Sequence, residues 1–182
     1  MSATKFNFPI IIIDEDFRAE NSSGLGIRAL ADAIKALGFD VVGVTSYGDL
    51  SQFAQQQSRA SAFILSVDDD EFACEDDEIA PAVRNLRAFI EEVRRINAEV
   101  PIYIYGETKT SRHLPNDILR ELHGFIHMFE DTPDFVAKHI IREAKSYLEG
   151  IQPPFFKALL DYADDGSFSW HCPGHSGGVA FL

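Results

Sequence analysis

The sequence predicts a doubly wound α/β fold built on a five-stranded parallel sheet. Three observations carry this reading. Short β-branched apolar runs lack polar alternation, as strands buried on both faces do. Segments with apolar residues at helical spacing separate them, and the connections are short.

The elements follow in order. Residues 6–14 include Ile10-Ile-Ile-Ile13 and end in acids, which reads as the first strand. Asn21-Ser22-Ser23 is a capping stretch for a helix carrying Leu25, Ile27, Leu30, Ala33, Ile34 and Leu37, closed by Gly38. Residues 39–44 form a second strand, 50–57 a short helix and 61–67 a third strand. Pro81 opens a helix whose positions Val83, Leu86, Ile90, Val93 and Ile96 share one face. Residues 101–105 are the fourth strand, 115–121 a short helix and 124–129 the fifth strand. The last helix starts at Thr132-Pro133-Asp134 and reaches about Leu148. Five strands alternating with helices in this way match the flavodoxin and receiver type of sheet.

Domain organisation is read as a receiver-like unit over 1–150, a linker over 151–166 and the start of a second domain over 167–182. Pro153-Pro154 marks the break, because paired prolines remove backbone donors and disfavour helix before them. Residues 155–162 then read as a short amphipathic linker helix and the remainder as an irregular tail.

Composition narrows the function classes. The chain of 182 residues is 46% hydrophobic and 25% charged, as expected of a folded globular chain. Its net charge of −13 argues against nucleic acid and anionic membrane as partners, since both attract cations. No apolar run approaches the roughly 20 residues that span a bilayer, and residues 1–7 lack the pattern of a secretory signal. The expectation is a cytoplasmic protein. Cys74 and Cys172 form neither a disulfide framework nor a metal pair.

In an open parallel sheet, function gathers at the carboxyl ends of the strands. Here those ends are acidic: Asp14, Glu15 and Asp16 after the first strand, and Asp68, Asp69 and Asp70 after the third. With Thr108 after the fourth, they match three parts of a phosphorylatable receiver, which holds magnesium and presents an aspartate nucleophile. The fourth part, a lysine ending the fifth strand, is replaced by Met128-Phe129-Glu130-Asp131, and Lys109 stands one strand early. The run from Asp68 through Glu71, Glu75, Asp76, Asp77 and Glu78 places eight carboxylates in eleven residues. It reads either as a solvated loop or as an acid-sensitive assembly surface, because like charges repel less once protonated.

Other constellations are weaker. Gly24-Leu25-Gly26 lacks the third glycine of a dinucleotide turn. Lys109, Arg112 and His113 form a small basic cluster suited to an anion or to ordinary surface. His123, His127 and His139 show no metal-ligand spacing, and Pro173-Gly174 keeps His171 and His175 off one regular helix. No catalytic, cofactor or metal residue is assigned.

The segment Phe168-Ser-Trp-His171-Cys-Pro173-Gly174-His175-Ser176-Gly177-Gly178-Val-Ala-Phe181 resembles the opening of the pyridoxal-phosphate domain of bacterial ornithine/lysine/arginine decarboxylases. Ile11-Ile-Ile-Asp14, Pro101-Ile-Tyr-Ile-Tyr-Gly-Glu-Thr108 and Tyr147-Leu-Glu-Gly-Ile-Gln-Pro-Pro-Phe-Phe156 are similar to that family's receiver-like wing domain and linker. The resemblance implies a non-catalytic wing that joins dimers into assemblies up to decamers, favoured in acid. It also implies a parent that uses pyridoxal phosphate and consumes a proton on decarboxylation, and a chain that stops where its catalytic domain begins. The family's Schiff-base lysine lies in a Ser-x-His-Lys context. None of Lys5, Lys35, Lys109, Lys138, Lys145 or Lys157 has it, so this stretch alone is expected not to decarboxylate. The pocket that selects the amino acid is absent, and only the wording of residues 170–178 leans to arginine. The alternative function is a stand-alone receiver-like signalling domain phosphorylated at an aspartate; a small flavodoxin-like enzyme has no nucleophile–base pair to support it.

Overall fold

A computed structural model of the chain describes residues 8–46, 59–67, 81–108 and 110–151. Five strands, β1 (Ile10–Ile13), β2 (Val41–Val44), β3 (Ala62–Ser66), β4 (Ile102–Gly106) and β5 (Gly124–His127), form one sheet in the order β2-β1-β3-β4-β5. Every pairing is parallel, with Ile13 beside Val44 on one side and Leu65 on the other. The expected fold class therefore holds.

The strand sequences explain why both faces are covered. Side chains alternate across a sheet. Ile11, Ile13, Phe63, Leu65, Ile102 and Ile104 enter one core, while Ile10, Ile12, Ala62, Ile64, Tyr103 and Tyr105 enter the other. Helix α2 (Pro81–Ile96) covers the first face through Val83, Leu86, Phe89, Ile90 and Val93. Helix α1 (Ser22–Ala36) covers the second through Ile27, Leu30, Ala31 and Ile34. Beside it on that face lies α5 (Pro133–Ile151), through Val136, Ala137, Ile140 and Ile141.

Local chemistry sets the helix ends. Asn21 caps α1, its side-chain oxygen accepting from the Gly24 amide at 2.7 Å. Gly38 ends the same helix at φ 92°, a left-handed conformation that costs glycine little. Pro115 supplies the N-cap of α4 (Asn116–Glu121).

Several boundaries differ from the sequence expectation. The fifth strand ends at His127 because the Glu130 and Asp131 amides turn back onto the His127 carbonyl. Helix α5 runs on to Ile151, since nothing before Pro153 stops it. Two short elements went unforeseen: a 3-10 turn over Glu15–Arg18 and α3 (Thr110–His113). The helix expected over 50–57 and the linker and tail beyond 151 lie outside the described residues.

Candidate functional site at the carboxyl edge of the sheet

The chain moves one way from β1 to β2 and the other way from β3 to β5, so the topological switch lies between β1 and β3. Crevices in such sheets open outside the carboxyl ends of the strands flanking that point. Asp14 and Ser66 stand there, one residue beyond the Ile13 and Leu65 pairing.

Asp14 is anchored by its backbone, whose amide donates to the Val44 carbonyl at 3.0 Å. Its side chain is 2% exposed, and neither carboxylate oxygen has a partner of full hydrogen-bond geometry. Burial pushes its pKa up. The Ser66 hydroxyl and the Asp16 amide favour the charged form by less, and the Asp16 charge adds to the upward push. Asp14 therefore does not belong to an exposed acidic face, where the sequence had grouped it. The strand carries it inward, while Glu15 is exposed and Asp16 half-buried on the 3-10 turn. Asp16 accepts from the Asn21 side-chain amide at 3.0 Å.

Two further arrangements were not foreseen from the sequence, although Thr108 itself was. The Tyr105 hydroxyl packs against Gly26, where an added Cβ would lie 2.7 Å from it. Its pKa is pushed up to about 12, first by burial and then by the charge of Asp14. At the β4–β5 edge, the Thr108 hydroxyl donates to the Glu130 carboxylate and lies 3.3 Å from His127 Nδ1. Glu130 thus binds the hydroxyl; a nucleophile–base chain would need it to orient the imidazole. The Met128 amide binds the Gly106 carbonyl at 2.9 Å, and Phe129 beside it is 67% exposed, in the stretch Met128-Phe-Glu-Asp131 that carries no lysine. Strand alternation could have flagged Tyr105, but no sequence signal brings Thr108, His127 and Glu130 together.

The structure does not describe the remaining predicted residues. Asp68, Asp69, Asp70, Glu71, Glu75, Asp76, Asp77 and Glu78 lie outside the described residues, as do Lys109 and His171, Pro173, Gly174, His175, Ser176, Gly177 and Gly178. Among the described residues, no three His, Cys, Asp or Glu side chains converge as metal ligands. No helix among them is long and apolar enough to cross a membrane. Of the described lysines, Lys35 pairs with Asp32 at 3.2 Å and Lys138 is exposed on α5.

Comparison with known proteins gives two family matches. The model described as "Orn/Lys/Arg decarboxylase, N-terminal domain" matches residues 22–147, and "Orn/Lys/Arg decarboxylase, major domain" matches residues 153–182. The lysine decarboxylase LdcA of Pseudomonas aeruginosa is 32% identical over 96% of this chain and 23% of its own length. The biodegradative arginine decarboxylase of Escherichia coli K12 is 27% identical over 94% of this chain and 22% of its own. This chain thus spans less than a quarter of these relatives' length. A solved structure of lysine decarboxylase A from Pseudomonas aeruginosa superposes with a TM-score of 0.67, at 27% identity, over 94% of this chain and 23% of that one. A response regulator receiver domain from Clostridium thermocellum, 13% identical, gives a TM-score of 0.52 over 76% of this chain and 94% of that one, a likeness of fold alone.

Proposed function

Because the chain belongs to the Orn/Lys/Arg decarboxylases, matched over most of its length by their N-terminal domain, we propose that it is the non-catalytic assembly region of a decarboxylase of arginine, lysine or ornithine. The match of both family models in succession, 22–147 and then 153–182, carries this reading. It also supports a division into a receiver-like wing over 1–150, a linker over 151–166 and the beginning of the major domain over 167–182.

In the parent, pyridoxal phosphate supplies the electron sink for loss of the carboxylate, held by a lysine that this stretch does not contain. The contribution of these residues is then structural. They form homo-oligomers through the wing, of the dimer-to-decamer kind, without nucleic acid or membrane, in a cytoplasmic enzyme that consumes protons in acid resistance. The acidic run 68–78, with Glu15 and Asp16 at the rim of the switch point, is the surface whose repulsion falls as pH drops.

Sedimentation velocity of the 182-residue chain at neutral and mildly acidic pH tests the assembly role. Association that strengthens in acid supports it; a monomer at both values sinks it. Added pyridoxal phosphate should give no stable lysine-linked absorbance band, and such a band would overturn the non-catalytic reading.

A further inference from the structure

Strand β5 is the outer strand of the sheet, and among the described residues its backbone pairs with β4 alone. Two devices hold the strands together where they begin. Arg94 of α2 donates to the Val100 carbonyl at 2.7 Å and to the Glu121 carbonyl at 2.6 Å, bridging the chain just before each strand. Two residues further on, His123 and Ile102 meet directly. The His123 amide donates to the Ile102 carbonyl at 2.7 Å, and the Ile102 amide donates to His123 Nδ1 at 3.4 Å. One imidazole thus helps to fasten the start of β5 to β4.

That fastening needs the neutral ring. An imidazole accepts through a nitrogen that carries no proton, and protonation turns both nitrogens into donors. The Ile102 amide would then face a donor, and Ile102 is fully buried, with no water to replace the lost acceptor. A cation at His123 also meets a charge that cannot move away, because Arg94 is fixed by both carbonyls and by the Glu121 carboxylate at 3.0 Å. From β4 the His123 ring faces Tyr103, with ring centroids 6.3 Å apart. From α4, Glu121 is already engaged by Arg94, and from α5, Glu143 acts with the opposite sign. His139 of α5 lies against the Tyr103 ring, with Arg142 bonded to it. Burial and then the Arg94 charge push the His123 pKa below the ordinary 6.5, and Glu143 offsets part of this. The outer side of His123 is exposed, so a proton reaches it without unfolding.

We propose that His123 is an acid-sensitive catch on the outer strand: neutral, it ties the start of β5 to β4, and as a cation in mild acid it releases that end of β5 together with α4. The release needs no second copy of the chain and stands apart from the assembly role. The folded state takes up the His123 proton less readily than the unfolded state does. The catch is therefore whole above pH 6.5 and is lost as pH falls through the lowered folded value. Strand β4 keeps its pairing with β3 throughout, so the loosening is local.

Hydrogen exchange of the 182-residue chain, followed by mass spectrometry and corrected for intrinsic exchange rates, reads the catch at about pH 7.5 and about pH 5, where ordinary carboxylates keep their charge. Protection over α4 and β5 should fall at least about threefold in acid, because the released form binds the proton preferentially, while β1 and β3 hold theirs. His123→Asn places an oxygen near the position of Nδ1 and cannot become a cation, so its protection should be the same at both pH values. Protection unchanged by pH in the unaltered chain overturns the catch. An equal fall in His123→Asn assigns the loss to another group and overturns the role of His123. Should His123→Asn fail to fold by far-UV circular dichroism, the unaltered chain decides alone. Its His123 ring proton, followed by NMR, should titrate with a midpoint below 6.5 that coincides with the loss of β5 protection, and a midpoint at or above 6.5 overturns the proposal.

Discussion

Gly24 sits so close to Ala19 that a Cβ on it would lie 2.4 Å from the Ala19 carbonyl oxygen, and equally close to that of Asp16. This approach seats the turn after β1 on the first turn of α1. Arg28 reinforces it from the next turn of the helix, donating to the Phe17 carbonyl at 2.9 Å and the Ala19 carbonyl at 2.6 Å. The contact is backbone to backbone, so no side chain can swing aside to relieve a larger residue.

Gly24→Ala should therefore destabilise the fold by about 2 kcal/mol or more, against the usual gain of alanine over glycine in a helix. Gly150→Ala, in α5 with nothing within 4 Å of its added Cβ, should stabilise by roughly 0.5–1 kcal/mol. Urea denaturation of the two variants reads the opposite signs. If both were stabilising, the close approach at Gly24 would be refuted.

Asp14 makes stability depend on pH. Its folded pKa stands above the ordinary 3.8 because burial disfavours the charge, so the folded state binds its proton more tightly than the unfolded state does. The resulting stabilisation is complete below 3.8 and is lost as pH rises through the folded value. Asp14→Asn should abolish that loss and raise stability at neutral pH by roughly 1 kcal/mol, with the advantage shrinking toward acid. Denaturation midpoints taken from pH 4 to 7.5 check this; an advantage independent of pH would argue against a titrating Asp14.

Tyr103 carries a buried hydroxyl without a partner among the described residues, and burial followed by the Glu143 charge raises its pKa. Tyr103→Phe keeps the ring against His123 and His139 and removes the orphaned group. It should be neutral or stabilising by about 1 kcal/mol in thermal melts. A clear loss of stability would show that the hydroxyl has a partner.

Arg94 holds α2 to the β4 and β5 side of the molecule, with Nε on the Glu121 carboxylate at 3.0 Å and its two Nη atoms on the Val100 and Glu121 carbonyls at 2.7 and 2.6 Å. Lysine cannot reproduce three donors in a planar fork. Arg94→Lys should cost about 1–2 kcal/mol. An unchanged urea midpoint would mean that this fork contributes nothing beyond a surface charge pair.

Ile10 to Ile13, the helical spacing from Ile27 to Ile34 and the caps at Asn21 and Gly38 were legible in the sequence, because strand burial, helix period and capping depend on neighbours a few residues away. The same locality made the Trp-His-Cys-Pro-Gly-His wording and the missing Ser-x-His-Lys readable, and with them the family. Tertiary structure decided what pairs across distance. It turned Asp14 inward while leaving Glu15 outside, joined Thr108 to Glu130 across β4 and β5, and left Phe129 and Phe135 in solvent beside the buried face of α5. Each of these depends on which strand or helix lies opposite, and that is set by the order β2-β1-β3-β4-β5, which the spacing of residues along the chain does not encode.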